Sequence, residues 1–435
     1  MAFHISSDHT GQPAEISLFG HPRGLAVLFF TEMWERFSYY GMRALLVYYM
    51  IKHLMFTQAQ ASQIYGLYTG LVYLTPLFGG ILADRAWGQR RTVILGAVLM
   101  AIGHFLMAVE SLFFPALLFL ILGNGAFKPN ISTQVGNLYR PGDHRRDRAL
   151  SIFYMGINLG AFFSPLVCGT LGELYGWHYG FGAAGVGMIV GLSIYLVGQG
   201  WLAPDNLMLR SRGEQQEPQP LTADENRRLW ALIAVCFITV AFWAAYEQQG
   251  NTVALWADAY TNRFIFGWEF PASWFQSVNP ALIFLGTPIV TTYWARQSRC
   301  NREPSSVSKM AIGCFLLAAG FLIMVPATQL YAVDNQPVSM IWLMLFNVLV
   351  AAGELYLSPI GLSLVTKLSP PRMVSTMMGV WFLSLFLGNY GAGFIGVYWE
   401  CMPKDLFFLM VASIGLAAGF AILVSIKHFK RAIEQ

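Results

Sequence analysis

Glu32-Met33-Trp34-Glu35-Arg36-Phe37-Ser38-Tyr39-Tyr40-Gly41-Met42-Arg43 lies inside a segment, residues 25 to 50, that otherwise has the apolar content of a membrane-crossing helix. Crossing takes ~20 mostly apolar residues, and one charge at the helix centre costs about 2.5–3.5 kcal/mol. Four formal charges in one stretch therefore need a reason. At about 100° per residue, Glu32, Glu35, Arg36, Tyr39, Tyr40 and Arg43 fall within an arc of roughly 140°. Met33, Trp34, Phe37, Ser38 and Gly41 take the other side, which can face lipid. A Glu32–Arg36 pair at i,i+4 explains two of the charges and leaves Glu35, Arg43 and both tyrosines without a purpose.

Outside this stretch, charge is scarce. Of 435 residues, 56% are hydrophobic and only 11% charged, whereas soluble domains carry about a quarter charged residues. The chain reads as an all-α polytopic membrane protein. Its net charge of +4 gives no nucleic-acid signal. Cys168, Cys236, Cys300, Cys314 and Cys401 have neither metal nor disulfide spacing. Residues 1–23 are polar and the first apolar run is a full span, so no cleavable signal is expected.

Apolar runs between turn and charge clusters predict twelve spans: 24–51, 58–83, 92–110, 112–138, 149–172, 180–201, 228–257, 272–296, 308–329, 338–366, 374–399 and 405–427. Residues 202–227, with Pro204, Pro218 and Pro220 among polar side chains, form a linker. The expected organisation is a tail at 1–23, six-helix bundles at 24–201 and 228–427 joined by that linker, and a tail at 428–435. Six plus six about a central linker resembles the major facilitator fold. Of the 27 Lys and Arg residues, only Lys52, Arg263 and Lys404 lie on one set of loops and only Arg36, Arg43 and Lys128 lie inside spans away from their ends. All the others fall on the opposite set, which places the linker and both termini in the cytoplasm of a cell (inner or plasma) membrane.

The loop after the second span, Gly79-Gly80-Ile81-Leu82-Ala83-Asp84-Arg85-Ala86-Trp87-Gly88-Gln89-Arg90-Arg91, looks like the major facilitator loop signature. Gly80, Asp84, Arg85, Arg90 and Arg91 are expected to latch the two bundles and let go when they rock. Further polar residues interrupt later spans. Lys128 precedes Pro129, which loosens the helix, and lies too far from either end to snorkel easily. Asn158 has donors and acceptors to satisfy, and could equally be interhelical glue. Glu247 lies one turn from Trp243, Asn279 precedes Pro280, and Glu354 and Ser358 stand at i,i+4. Trp381-Phe382 follow in the eleventh span.

Together these stretches strongly resemble the proton-dependent oligopeptide transporter family. The matching residues are Glu32-x-x-Glu35-Arg36-Phe37-x-Tyr39-Tyr40-Gly41, Phe127-Lys128-Pro129-Asn130, Phe153-Tyr154-x-x-Ile157-Asn158-x-Gly160, Trp243 with Glu247-Gln248, and Glu354 with Ser358-Pro359. The resemblance implies proton-coupled import of di- and tripeptides by alternating access. It implies that Arg36, Arg43, Lys128, Tyr39, Tyr40 and Tyr68 receive the peptide carboxylate, and that Glu354, Asn158 and Asn279 receive the amino end. Trp243, Ser358, Trp381 and Phe382 would line side-chain pockets, and Glu32, Glu35, Arg36, Lys128 and Glu247 would handle coupling. Two departures stand out. Residues 202–227 and 330–337 are too short for the extra helix pair of many bacterial members or the outer domain of animal members. Gly66 also stands where animal members place a titrating histidine, which shifts suspicion to the carboxylates.

The charges themselves suggest the same task. Seven ionisable groups lie in spans, and left unpaired they would oppose insertion by roughly 20 kcal/mol. Glu32, Glu35, Arg36, Arg43 and Lys128 leave the N-terminal half net positive; Glu247 and Glu354 make the C-terminal half negative. A short peptide carries the complementary ends, and a longer one would separate them too far. One proton would neutralise the set, and Glu247 is expected to pair with Lys128 in one state. No cofactor is expected beyond the proton as coupling ion. The expected partners are di- and tripeptides and the bilayer, with the protein working as a monomer and no nucleic acid involved. Competing readings are transport of nitrate or an amphipathic drug, a non-transporting peptide sensor, and an intramembrane enzyme using paired carboxylates. No His cluster or metal spacing accompanies the glutamates of that last reading, so no enzyme is expected.

Overall fold

The computed structural model of the chain describes residues 17–18, 20–140, 143, 145–204, 221–370 and 373–433. Its helices are α1 (Arg23–Lys52), α2 (Gln58–Trp87), α3 (Gln89–Leu106), α4 (Phe113–Asn137), α5 (Arg145–Tyr175) and α6 (Trp177–Gly198). After the linker come α7 (Ala223–Ala259), α8 (Phe275–Arg299), α9 (Ser306–Asp334), α10 (Ile341–Leu368), α11 (Val374–Cys401) and α12 (Lys404–Ile433). Among the described residues, nine helices are long and apolar enough to cross a membrane; α1, α3 and α8 fall outside that set. Among the described residues, strand structure is limited to two-residue pairings, including a hairpin of Phe264–Ile265 with Trp268–Glu269 between α7 and α8.

Local chemistry places the helix starts. Thr57 with Gln60 and Thr222 with Glu225 form reciprocal capping boxes at the heads of α2 and α7. The second box corrects the expected linker. Its last residues, from Ala223, are already helical, because a capped helix continues past the apolar run that hydropathy detects. At the other end of the chain, α12 runs to Ile433, through residues expected to be tail. Linker residues 205–220 and tail residues 1–16 lie outside the described residues.

Buried apolar side chains form two large clusters, one from Leu25 to Leu202 and one from Leu229 to Ile422. Within the first, α1 packs on α5 and α6, and α3 on α4 and α6; within the second, α9 packs on α10 and α12, and α7 on α11 and α12. The main helix contacts between the halves are α2 with α11 and α5 with α8. Gly66 and Gly393 let α2 and α11 touch, since a Cβ on Gly66 would lie 2.6 Å from the Gly393 backbone. A histidine at position 66 would force these helices apart.

The apolar face of α1, which the sequence leaves free to face lipid, is instead packed against other helices. Ser38 donates to the Trp34 and Ala184 carbonyls, Gly41 lies against Cys168, and Phe37 and Trp34 pack on Gly187 and Gly191. Both faces of α1 are occupied, one by α5 and α6 and the other by polar groups. Hydrophobicity alone does not distinguish a lipid-facing side from a helix-facing one.

Candidate functional site

Where the halves meet, side chains from α1, α2, α4, α5, α7, α8, α10 and α11 line a cavity of about 290 Å³. Its first wall is the quoted stretch. Arg36 is held by both oxygens of Glu35, with Nη2 at 2.7 Å from Oε1, while Glu32 stands at 3.3 Å. Glu35, not the i,i+4 partner Glu32, is thus the main counter-ion, and Asn124 on α4 donates to it at 3.2 Å. Glu32 keeps a buried oxygen without a hydrogen-bond partner among the described residues. One turn and more along the helix, Arg43 lies over the Tyr40 ring and reaches Glu247 of α7 at 3.5 Å. Tyr65 donates to that same carboxylate oxygen at 3.2 Å.

Lys128 sits 4.5 Å from the centre of the Tyr73 ring, and among the described residues no carboxylate oxygen lies within ion-pair distance of it. The expected Lys128–Glu247 pair is therefore not formed in this conformation, because Arg43 and Tyr65 hold Glu247. Lys128 and Glu247 nevertheless face one cavity.

The opposite wall is acidic. Glu354 on α10 accepts from the Tyr246 hydroxyl at 2.5 Å. Asn279 on α8 donates to the same hydroxyl at 3.3 Å and to Gln249 at 3.1 Å. Asn158, which donates to the Tyr154 carbonyl, and Ser358 and Trp243 also line the cavity. The indole nitrogen of Trp243 is buried without a hydrogen-bond partner among the described residues.

Several expected site residues lie elsewhere. Tyr39 and Tyr68 stack on each other behind the wall, buried to 4% and 2% exposure, and neither lines the cavity. Tyr39 supports Arg36 from below, its ring 5.1 Å from the guanidinium carbon. Trp381 is buried against Gly361, and Phe382 is outside the lining. In the last part of α2, Gly80 faces open space; Gly79 makes the close approach, where a Cβ would lie 2.0 Å from the Gly125 carbonyl oxygen. Arg90 donates to the Leu202 and Ala203 carbonyls, tying α3 to the end of its own half. Arg85 and Arg91 are exposed. Sequence reading missed Tyr73, Tyr154, Tyr246, Gln249 and Gln276 in the lining. Tyr246 directly precedes Glu247, yet its partner Glu354 is 108 residues away, and no local pattern signals that distance.

The cavity is closed at one end. Tyr48 donates to the Ala254 carbonyl at 2.8 Å, Lys52 pairs with Asp258 at 2.6 Å, and Glu173 accepts from the backbone N–H groups of Ala272 and Ser273, each at 2.9 Å. Ser62 donates to Asn251 and Gln58 to the Gly396 carbonyl. Every one of these contacts joins the two halves.

The sequence model described as the POT family matches residues 90–207 and 214–402. The chain is 36% identical to a peptide transporter, YePEPT, of Yersinia enterocolitica, over 95% of this chain and 96% of that one. It is 34% identical to a di-/tripeptide transporter of Lactococcus lactis subsp. cremoris, over 94% and 96%. A solved peptide transporter POT in complex with sulfate superposes with a TM-score of 0.87 at 33% identity, covering 97% of this chain and 98% of that one. A POT family transporter in complex with a thioalcohol-conjugated peptide gives 0.86 at 29% identity, covering 97% and 99%.

Proposed function

The chain belongs to the POT family and is a multi-pass membrane protein that transports peptides, and from that premise we propose that it imports di- and tripeptides together with protons by alternating access. The observation that carries this reading is the pair of opposed walls in one cavity: Arg36, Arg43 and Lys128 on one side, Glu354 on the other. A peptide carboxylate is drawn to the first and its ammonium to the second, and charged hydrogen bonds at both ends reward the chain length that spans them. About 290 Å³ suits a compact ligand. The proposed architecture is twelve crossings in two six-helix bundles, with termini in the cytoplasm of the cell membrane and no cofactor besides the proton.

Coupling is assigned to Glu247. It holds Arg43 across the halves (α1 to α7), while Lys128 lies over the Tyr73 ring. Protonating Glu247 removes the charge that binds Arg43 and leaves that guanidinium for the peptide carboxylate. Re-ionisation restores the bond after release. In another conformation Glu247 pairs with Lys128 and repeats the competition at that cation. Glu32 and Glu35, which brace Arg36, are the proton relays on the same wall. Inward movement of one net positive charge gains about 2.3 kcal/mol per 100 mV of membrane potential.

Replacing Glu247 with Gln is expected to abolish accumulation of a labelled dipeptide in proteoliposomes under an inward proton gradient, while counterflow exchange persists. Intact accumulation would refute the assignment. A nitrate-transporting relative would show instead as competition by nitrate, and a sensor as binding without uptake.

A further inference from the structure

Tyr246 lies at the centre of the acidic wall, at the end of a helical stretch that turns into a tighter 3₁₀ segment at Glu247–Gly250. Its ring is fixed by stacking on Phe242, with an interplanar angle of 15°, and by edge contact with Trp243. That packing aims the hydroxyl at one oxygen of Glu354, Oε2, at 2.5 Å. The same hydroxyl oxygen accepts from Asn279 at 3.3 Å, and Asn279 is itself braced by Gln249. All four side chains line the cavity.

A phenol has one proton and two acceptor lone pairs. Here the proton is given to Glu354 and one lone pair to Asn279. One lone pair, and the second oxygen of the Glu354 carboxylate, are left uncommitted by these bonds. We propose that Tyr246 is a positioning residue for the ligand's ammonium group: it holds Glu354 by Oε2 so that Oε1 receives one N–H, and offers its own oxygen to a second. The arrangement selects for a primary ammonium over an acylated or absent amino group, since an amide offers one N–H and no charge. It also gives the carboxylate a donor when the cavity is empty, so that site geometry does not have to be rebuilt for each ligand. The inference rests on the peptide-transport reading above and assigns a residue to its amino-end subsite.

The test compares wild type with Tyr246→Phe, which keeps the stacked ring and loses only the hydroxyl, using purified protein and a matched pair of ligands, Ala-Ala and its des-amino analogue propionyl-Ala. Tyr246→Phe is expected to weaken Ala-Ala about tenfold, as loss of a hydrogen bond in a charged cluster does, and to leave propionyl-Ala unchanged. In a Glu354→Gln background the same substitution is expected to add little, because both act on one ammonium. Equal weakening of both ligands, no weakening, or full additivity with Glu354→Gln would overturn the role of Tyr246 while leaving the transport reading intact. A wild-type protein that binds neither ligand would overturn both.

Discussion

Single residues carry the recognition chemistry, and the two most informative are Glu354 and Lys128. Glu354 has hydrogen-bonding company but no cation within ion-pair distance among the described residues, which suits it to receive one from a ligand. Glu354→Gln is expected to weaken dipeptides with a free amino group by at least about 30-fold, or ~2 kcal/mol, and amino-blocked analogues far less. Competition against uptake of a labelled dipeptide measures this, and equal loss for both classes would remove Glu354 from the amino end. Every one of the seven intramembrane charges was visible in the sequence, because a charge in an apolar run is conspicuous. Their pairings were not. Arg36 with Glu35 and Arg43 with Glu247 depend on which rotamers and neighbouring helices bring the groups together, and i,i+4 spacing pointed instead to Glu32.

At the scale of elements, glycines set how closely the helices can approach. A Cβ on Gly160 of α5 would lie 2.2 Å from the Met33 carbonyl oxygen of α1, in contact with backbone that cannot rotate aside. Gly160→Ala is therefore expected to push α5 off the helix that carries Arg36, at a cost of about 1–3 kcal/mol, read as a lower melting temperature in detergent. Gly80→Ala is the control. Nothing lies within 4 Å of its Cβ position, and Ala is the better helix former, so the melting temperature should hold or rise slightly. Sequence reading singled out Gly80 for the gating loop, although both glycines belong to the same motif. The choice between them depends on helix phase against α4, which a motif does not contain.

For the whole molecule, the seal at one end defines the conformation. It is formed by the end of α1, the start of α2, the ends of α5 and α7, the start of α8 and the end of α11. In the orientation proposed above, with both termini in the cytoplasm, this is the outer side and the cavity opens inward. Removing the seal through Glu173→Ala with Asp258→Asn takes away two N–H···carboxylate bonds and the Lys52 ion pair. The combined variant is expected to populate the outward-facing state. A cysteine replacing the cavity-lining Ile157, with exposed Cys300 and Cys401 changed to Ser, should then react severalfold faster with an impermeant thiol reagent added outside. Unchanged reactivity would mean that Arg43–Glu247 and the α2–α11 contact keep the outer side closed without those bonds.

The sequence by itself determined that this chain is helical and membrane-embedded, where its apolar runs lie, which side its cations favour, and which charges must have work to do. Each of these follows from a free-energy cost that acts on residues near one another in the chain. It also carried enough motif order to resemble one transporter family. Only the tertiary structure decided that α1 is covered on both faces, that Tyr39, Tyr68 and Trp381 stand outside the cavity, that Glu247 binds Arg43 in place of Lys128, and that Tyr246 reaches Glu354. The physical reason is shared by all four. Each depends on contacts between helices distant in sequence, where packing and rotamer choice select one partner among several of equal chemistry.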